Sequence, residues 1–407
     1  MKKTIAFILI ALCIACTFAI ERKDEGPYRG VTDYAFSPVY SKHYDGLNYR
    51  LFSNAADLAQ RRFSIQLPDL AILSYNFSEA VKDRGVAEAL SNLTKLKFSK
   101  NDLITYALGL VMAAGSGFND VFCVDTGLGA QLGNFGFGVN IAAGVKSMPH
   151  IDDQDKLEEA GSPAGNGFVP QLDIAFTFAY GRRIVDTDAI TVDAGAALHV
   201  SERVYMLQIS TEQISDLIRG GRDFEHLPAR GGFGFPIDLG VTVGLAGGHV
   251  KFNASAQNLN GLYYMGSYEN SLKAMLLFKG RTDPYIMYTP FSINASVVMD
   301  TDLVSVNPEL YLGFNGINLY IQNFKGMASP KRELFRYLDL GLNVKIFKAL
   351  SLRASYSQGY PSVGAAFCLF GNDVELTYSF HEAGSEYGLH PVDCLTLRVK
   401  LGFENQR

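Results

Sequence analysis

Fourteen short segments of this chain alternate apolar and polar residues, and the connections between them alternate between short and long. In 135–146, for example, Phe, Val and Ile alternate with Gly, Asn and Ala. The segments lie at 104–114, 121–130, 135–146, 171–180, 189–200, 235–245, 249–259, 290–299, 303–314, 338–346, 350–357, 362–370, 374–380 and 394–403. Because a period of two puts alternate side chains on opposite faces of a sheet, the chain is constrained to strands with one apolar face.

The spacing of these segments favours a membrane-spanning barrel. Segments of about 10 alternating residues joined by turns are typical of such barrels, which have short turns at one end and long loops at the other. The polar phase is mostly Gly, Ala, Ser, Thr and Asn, whereas a water-facing soluble sheet usually carries many Lys and Glu. We therefore predict an all-β fold, a transmembrane antiparallel β-barrel of about 14 strands. A secreted soluble β-sandwich or barrel is the alternative.

The first residues are typical of an export signal. Residues 1–3 are basic, and the apolar run 4–12 is too short to cross a bilayer as a helix. Thr17 and Ala19 provide small side chains at the positions that a signal peptidase reads, so we predict a signal peptide at 1–19. Lipoprotein processing at Cys16 is the alternative. The expected location is the outer membrane of a Gram-negative-type (diderm) bacterium.

Composition narrows the range of partners. The formal net charge is −5 and only 19% of residues are charged, so no basic stripe is available to neutralise nucleic-acid phosphates. The chain has 21 Tyr and 28 Phe but no Trp, so an aromatic girdle at the membrane interface must consist of Tyr and Phe. We expect outer-membrane lipid as a partner and no nucleic acid.

The region before the barrel has a different pattern. Residues 62–77 contain strand-like pieces that Pro68 separates, and apolar residues recur at helical spacing within 78–102. We predict an N-terminal hatch or plug with short helices at 20–102 and the barrel at 103–407. The alternatives are a periplasmic extension packed below the barrel, or one more strand pair, which would raise the strand number to 16.

A short helix is predicted in one of the long connections. In 211–219, Ile214, Leu217 and Ile218 fall on one apolar face. On an external loop this face could make the first contact with a hydrophobic substrate, although such a helix more often packs against its own loop.

Catalytic and metal-binding motifs are weak. The sequence outside the signal segment has neither HExxH nor CxxC, and we expect no catalytic residue, metal or cofactor. Asp173, Asp193 and Asp238 lie in the polar phase of their strands, where they could form an ionised network in the lumen. A lipid hydrolase would need a Ser or Thr with a His partner, and no spacing in the sequence places two such residues together.

Four motifs resemble the FadL-like family of outer-membrane proteins, which includes PorV-like and TraF-like barrels. The Gly-rich stretch 230–234 with the "DLG" strand 237–240, the hairpin 352–364 and the segment 381–384 are similar to family motifs. Residues 53–59 lie where the family has an "NPA" motif in its hatch, but Ala55 stands in place of the Pro. These are turn and packing motifs, which specify fold better than function.

The resemblance implies an outer-membrane channel for passive uptake of long-chain fatty acids or other hydrophobic small molecules. It implies that the substrate leaves through an opening in the barrel wall after the hatch shifts. The hatch or substrate-binding residues would be Asn54, Ala55, Leu58 and Phe63. The alternative within the same family is a PorV-like scaffold barrel that binds exported proteins.

Overall fold

The structure, a computed structural model, describes residues 54–95, 97, 99–114, 119–148, 167–206, 210–220, 229–269, 280–288, 291–301, 306–323, 334–347, 349–357, 359–369, 372–382 and 391–406. The expected signal peptide at 1–19 and residues 20–53 of the predicted plug region lie outside these residues. The described chain forms a closed antiparallel β-barrel of 14 strands, which confirms the predicted fold.

The strands are β1 (Arg61–Tyr75), β2 (Asn119–Leu132), β3 (Phe135–Met148), β4 (Gly167–Asp186), β5 (Ile190–Met206), β6 (Ala229–Gly234), β7 (Ile237–Leu245), β8 (Val250–Gln257), β9 (Leu262–Tyr268), β10 (Thr282–Tyr288), β11 (Ser292–Asp300), β12 (Val306–Phe314), β13 (Leu338–Ile346), β14 (Leu350–Ser357), β15 (Tyr360–Leu369), β16 (Asn372–Glu382) and β17 (Pro391–Gln406). Three of the fourteen positions around the wall are each formed by two consecutive strands: β6 with β7, β8 with β9, and β10 with β11. β6 and β7 both pair with β5; β8 pairs with β7 and β9 pairs with β6; β11 pairs with β8 and β10 pairs with β9.

The barrel begins inside the region predicted as plug. β1 pairs with β17 on one side and β2 on the other, and these pairings close the barrel. Both registers shift between Gln66 and Asp69, so Pro68 lies in a bulge. A bulge is one of the few places where a strand tolerates Pro, because Pro cannot donate to the ladder.

The strand predicted at 104–114 is wrong, because these residues form most of helix α3 (Lys100–Ala113). The run is apolar in both the helical and the strand period, so alternation alone cannot discriminate between them. The start signal is decisive: the Ser99 side chain accepts from the Asp102 N–H, and the Asp102 side chain accepts from the Ser99 N–H. This capping box fixes a helix N-terminus.

The other helices also lie in long connections. α1 (Phe77–Ala80), α2 (Arg84–Thr94) and α3 lie between β1 and β2, α4 (Thr211–Arg219) between β5 and β6, and α5 (Ile317–Asn323) after β12. No helix in the described ranges combines the length and the apolar content needed to cross a bilayer.

The two faces of the wall differ in chemistry, as the alternation predicts. On β7, Leu239 is 46% exposed and faces outward, whereas Thr242 is 2% exposed and faces inward. The outer face carries exposed apolar side chains all round the barrel, among them Phe137, Phe178, Leu198, Leu312, Leu352 and Leu376. Buried polar side chains on the inner face include Asp125, Asp193, Asn343, Arg353, Glu375 and Arg398. An apolar outside around a polar inside is the arrangement of a transmembrane barrel.

Candidate functional site

A piece of the N-terminal region lies inside the barrel. The 3₁₀ helix Ala55–Gln60, with Asn54 before it, packs against the inner faces of β4, β5 and β7 near the end with the short connections. Because Gln60 is followed directly by Arg61 of β1, this segment passes from the lumen straight into the wall. We call residues 54–60 the inner plug.

A row of three glycines makes room for the inner plug. Gly181, Gly195 and Gly240 pair directly across β4, β5 and β7. A Cβ on Gly181 or Gly195 would overlap the Ala55 backbone, and a Cβ on Gly240 would overlap the Asn54 side chain. These glycines serve as a notch because close approach of another backbone leaves no room for a side chain.

Hydrogen bonds hold the inner plug in the notch. The Asn54 amide donates to Thr242 Oγ1 at 3.2 Å and its carbonyl oxygen accepts from the Ala56 N–H at 3.1 Å. On the opposite side, Gln131 Nε2 donates to the Leu58 carbonyl at 2.6 Å. Gln131 is fully buried and its Nε2 also donates to the Gly133 carbonyl at 2.8 Å, so one amide joins the inner plug to the turn after β2.

The structure brings three of the four predicted hatch residues together. Asn54 makes the polar contacts, and Ala55 and Leu58 pack against Ala179 and Ala197 of the wall. Phe63 does not join them. It lies on β1 opposite Leu132, is 40% exposed and shares the outward, lipid-facing side of the wall.

Pairs of acidic and basic side chains lie on the inner face, three of them on the strands that carry the notch. Arg183 contacts Asp193 (2.9 Å), Arg203 contacts Asp173 (3.0 Å) and His199 contacts Asp238 (3.0 Å). Arg353 and Glu375, on β14 and β16, form a buried pair at 2.6 Å. Asp173, Asp193 and Asp238 are the acids that the sequence placed in the lumen, where they could form a network. Each of them contacts a different basic side chain, so the structure shows three separate pairs. Because a buried charge is stable only when it is paired, these side chains form a fixed polar belt in the lumen.

One of these pairs extends into a Thr–His–Asp array that sequence spacing could not reveal. His199 Nδ1 lies 2.8 Å from Thr177 Oγ1, and Asp238 also accepts from the Asn258 N–H at 2.7 Å. Residues 177, 199 and 238 meet only because β4, β5 and β7 are neighbours. Thr177 is buried in the middle of a continuous ladder, where the surrounding N–H groups are used by the sheet rather than aimed at an oxyanion. The array therefore ties three strands together, including the start of the turn after β8.

An apolar cluster occupies the other end of the molecule, where the connections are long. Helices α1 to α4 pack there against the ends of β2 to β6 and β9. We call this group the outer apolar cluster; it consists of Ala80, Val86, Leu110, Val111, Ala114, Val121, Val145, Phe168, Val204, Ile214, Ala229 and Tyr268. Val204 has the same phase on β5 as the lipid-facing Leu198, so the cluster continues the outer face of the wall.

The loop residues predicted as apolar contacts belong to this region. Ile214 is 3% exposed within the outer apolar cluster, and Ile218 packs against it. The side chain of Leu217 lies outside the described part of the structure. Contact of these residues with a substrate stays a prediction.

The acidic, histidine and cysteine side chains in the described part of the chain are not arranged as a metal site or a disulfide. No group of three His, Cys, Asp or Glu side chains there is placed to hold a metal ion. Cys123 and Cys394 are buried and form no disulfide. They pack in a small apolar group with Leu73 and Val392, as structural cysteines commonly do.

Comparison with known proteins gives matches in structure only. No protein-family model matches the sequence, and no curated protein matches it. Similar solved structures include the toluene transporter TodX of Pseudomonas putida, with 10% identity, 86% of this chain and 92% of that chain covered, and a TM-score of 0.41. A deltaS2S3 mutant of TodX, described as a monoaromatic hydrocarbon channel, has 10% identity, with 87% of this chain and 93% of that chain covered and a TM-score of 0.42. LpxR of Salmonella typhimurium has 9% identity, with 83% of this chain and 99% of that chain covered and a TM-score of 0.31. At these identities and TM-scores the likeness concerns the barrel alone.

Proposed function

We propose that this protein is an outer-membrane channel for the passive uptake of hydrophobic small molecules, with long-chain fatty acids as the first substrates to test. The observation that carries the proposal is the inner plug, seated in a glycine notch inside a transmembrane barrel. Outer-membrane barrels have their short turns in the periplasm, so the plug closes the periplasmic end. We place the protein in the outer membrane of a Gram-negative-type bacterium on the same argument.

The chemistry of the lumen favours a route through the wall. A hydrophobic solute moving along the barrel axis would face the paired charges of the polar belt, which offer it no apolar contact. In the described residues the wall is interrupted where β6 changes to β7 at 235–236 and where β8 changes to β9 at 258–261. We infer that solutes move from the external side to these interruptions and leave sideways into the membrane.

Uptake of a fluorescent long-chain fatty acid tests the proposal. A bacterial host lacking its own fatty-acid porin would express the full chain, a chain without residues 20–60, or an empty vector. We expect uptake above the empty vector for the full chain and its loss in the deletion. The gel shift between unboiled and boiled samples would verify that each barrel is folded. TodX is a toluene transporter, so toluene is the second compound to test.

A scaffold barrel that binds exported proteins is the second candidate. It is favoured by the buried ion pairs of the polar belt, which fill the inner wall with paired charges rather than apolar pockets. A folded barrel without uptake of either compound would support it. In that case a photo-crosslinking residue at Ile321, which is 66% exposed on α5, should capture one defined exported protein. Uptake with no crosslinked protein would exclude the scaffold.

A further inference from the structure

Beyond its first turn, helix α3 has no charged face, and yet it is only partly buried. From Leu103 to Ala113 it carries no charged side chain. Leu110 and Val111 are buried in the outer apolar cluster, whereas Met112 is 71% exposed. A helix that is apolar all round normally lies inside a protein core or in a membrane. Because the cluster covers only part of α3, the rest of its surface needs a second apolar environment.

The side of α3 that faces away from the cluster is a stripe of three large apolar side chains. Ile104, Leu108 and Met112 recur every four residues and therefore lie along one side of the helix, and we call them the α3 stripe. Ile104 and Leu108 are partly exposed. A different side of α3 packs against α2, since a Cβ on Gly109 would overlap the Val86 side chain. At 3.6 residues per turn, the α3 stripe lies between the α2 side and the side that carries Val111.

The contacts of α3 place it on the outer side of the barrel wall. Phe122 of β2 has the phase of Leu128, which is 49% exposed on the outer face, and pairs with Val145 of β3. Phe122 and Val145 pack together with Tyr106 of α3. Ser74 of β1 pairs with Phe122 and is only 4% exposed, and its side chain hydrogen-bonds with Tyr106. Helix α3 therefore covers the outer face of β1 to β3 and not the lumen.

The height of α3 on the wall matches the outer edge of the membrane. Leu132, at the short-turn end of β2, is 58% exposed, and Phe122 lies ten residues earlier on the same strand. At ~3.3 Å per residue and a tilt of ~40°, this separation amounts to ~25 Å along the barrel axis. The apolar band of transmembrane barrels has the same height. Helix α3 therefore lies at the level where acyl chains meet headgroups.

The connection that leads into α3 carries charge of the sign that a membrane surface attracts. Lys95, Lys97 and Lys100 are exposed, and the sequence between them contains no acid. Lysines beside an apolar helix face are typical of helices that lie in a membrane interface, where they approach anionic headgroups.

We propose that α3 is an interfacial helix of the outer leaflet, with the α3 stripe in contact with lipid acyl chains. The occupant is lipid because the stripe continues a surface that is already lipid-facing: the outer apolar cluster extends the outer face of the wall, and α3 lies on that extension. The helix widens the lipid contact of the barrel beside β1 and β2. This contact is independent of uptake, since α3 makes it whether or not a solute crosses the barrel.

Tryptophan fluorescence can locate the α3 stripe, because the chain contains no Trp. Full-length Met112→Trp protein would be reconstituted into phosphatidylcholine vesicles whose acyl chains are either unmodified or dibrominated. Bromine quenches a tryptophan that it contacts, so we expect Met112→Trp to lose fluorescence in the brominated vesicles. Leu128→Trp, on the outer face of β2, should lose a comparable fraction. Glu88→Trp, at an exposed position of α2, should keep its fluorescence, and the gel shift would verify that each barrel is folded.

Two results would overturn the proposal. Quenching of Leu128→Trp together with unquenched, water-like emission from Met112→Trp would place α3 in solvent. Unquenched Met112→Trp emission at a shorter wavelength would show that protein, such as a second copy of this chain, covers the α3 stripe in place of lipid.

Discussion

At the scale of single residues, the notch shows that a glycine can be required for a contact that its neighbours in sequence do not reveal. Gly181, Gly195 and Gly240 occupy inward positions of three neighbouring strands. Their role depends on Asn54 and Ala55, which lie more than a hundred positions earlier in the chain. The plug residues could be predicted from motif resemblance, but the glycines that receive them could not, because pairing register is not visible in a single sequence.

A substitution at the centre of the row should unseat the inner plug. In Gly195→Val the new side chain would overlap Ala55, and such overpacking costs about 1–3 kcal/mol. We expect permeation of a hydrophilic dye into whole cells to rise roughly tenfold, which is the effect of about 1.4 kcal/mol.

The matched control is Ala196→Val, which places the same valine side chain at the next residue, on the exposed lipid-facing side. It should leave dye permeation at the wild-type level. Equal permeation through both variants, with both barrels folded by gel shift, would show that residues 54–60 do not close the lumen.

At the scale of secondary-structure elements, periodicity succeeded where one face is polar and failed where both faces are apolar. The alternation located thirteen of the fourteen wall positions. It also predicted a strand where α3 lies, although Leu103, Tyr106 and Leu110 recur there at helical spacing. It also missed β1 as a wall strand, because Pro68 hid a continuous strand behind a bulge. The capping box at Ser99 was the signal in the sequence that could have separated helix from strand.

The same capping box predicts a pH dependence for α3. Hydrogen bonds from the Ser99 hydroxyl, the Ser99 N–H and the Asn92 amide lower the pKa of Asp102 from its ordinary value of 3.8. A carboxylate with a lowered pKa stabilises the folded state above its unfolded pKa and loses that contribution as the pH falls through the folded pKa. Hydrogen exchange in the first turn of α3, corrected for the intrinsic rate at each pH, should therefore accelerate in acid.

In Asp102→Asn this acid-dependent acceleration should be absent, and exchange should already be faster at neutral pH. Glu88→Gln, at an exposed position of α2, serves as the control and should behave like the wild type. Identical pH profiles for Asp102→Asn and the wild type would mean that the capping box does not stabilise the helix.

At the scale of the whole molecule, the sequence was sufficient for the architecture but not for the site. Two faces of opposite polarity and a division into short and long connections follow from residue alternation alone. The predicted number of about fourteen strands agrees with the structure because the misassigned segment 104–114 and the missed β1 offset each other. The division of three wall positions into two strands each does not follow from alternation. It depends on contacts between neighbouring strands, such as the hydrogen bond that Asp238 of β7 accepts from the Asn258 N–H after β8. The Thr177, His199 and Asp238 array arises in the same way, from residues brought together only by the pairing of β4, β5 and β7.

Closure predicts that the last strand is indispensable. A chain that stops at Glu382 lacks β17 and exposes the pairing edges of β1 and β16. Open strand edges are not tolerated in a bilayer, so the gel shift of the folded barrel should be absent. Removal of Arg407 alone should preserve it, because Gln406 is the last residue that pairs with β1. A heat-modifiable barrel without β17 would contradict this closure.

The seam between β1 and β17 also sets an order of events in biogenesis. Ribosomes deliver the inner plug and β1 first and β17 last, and the plug is joined to β1 without a spacer. Residues 54–60 are therefore available to occupy the glycine notch before the ring closes. The pairing of β1 with β17 then fixes this segment next to the closing seam of the barrel.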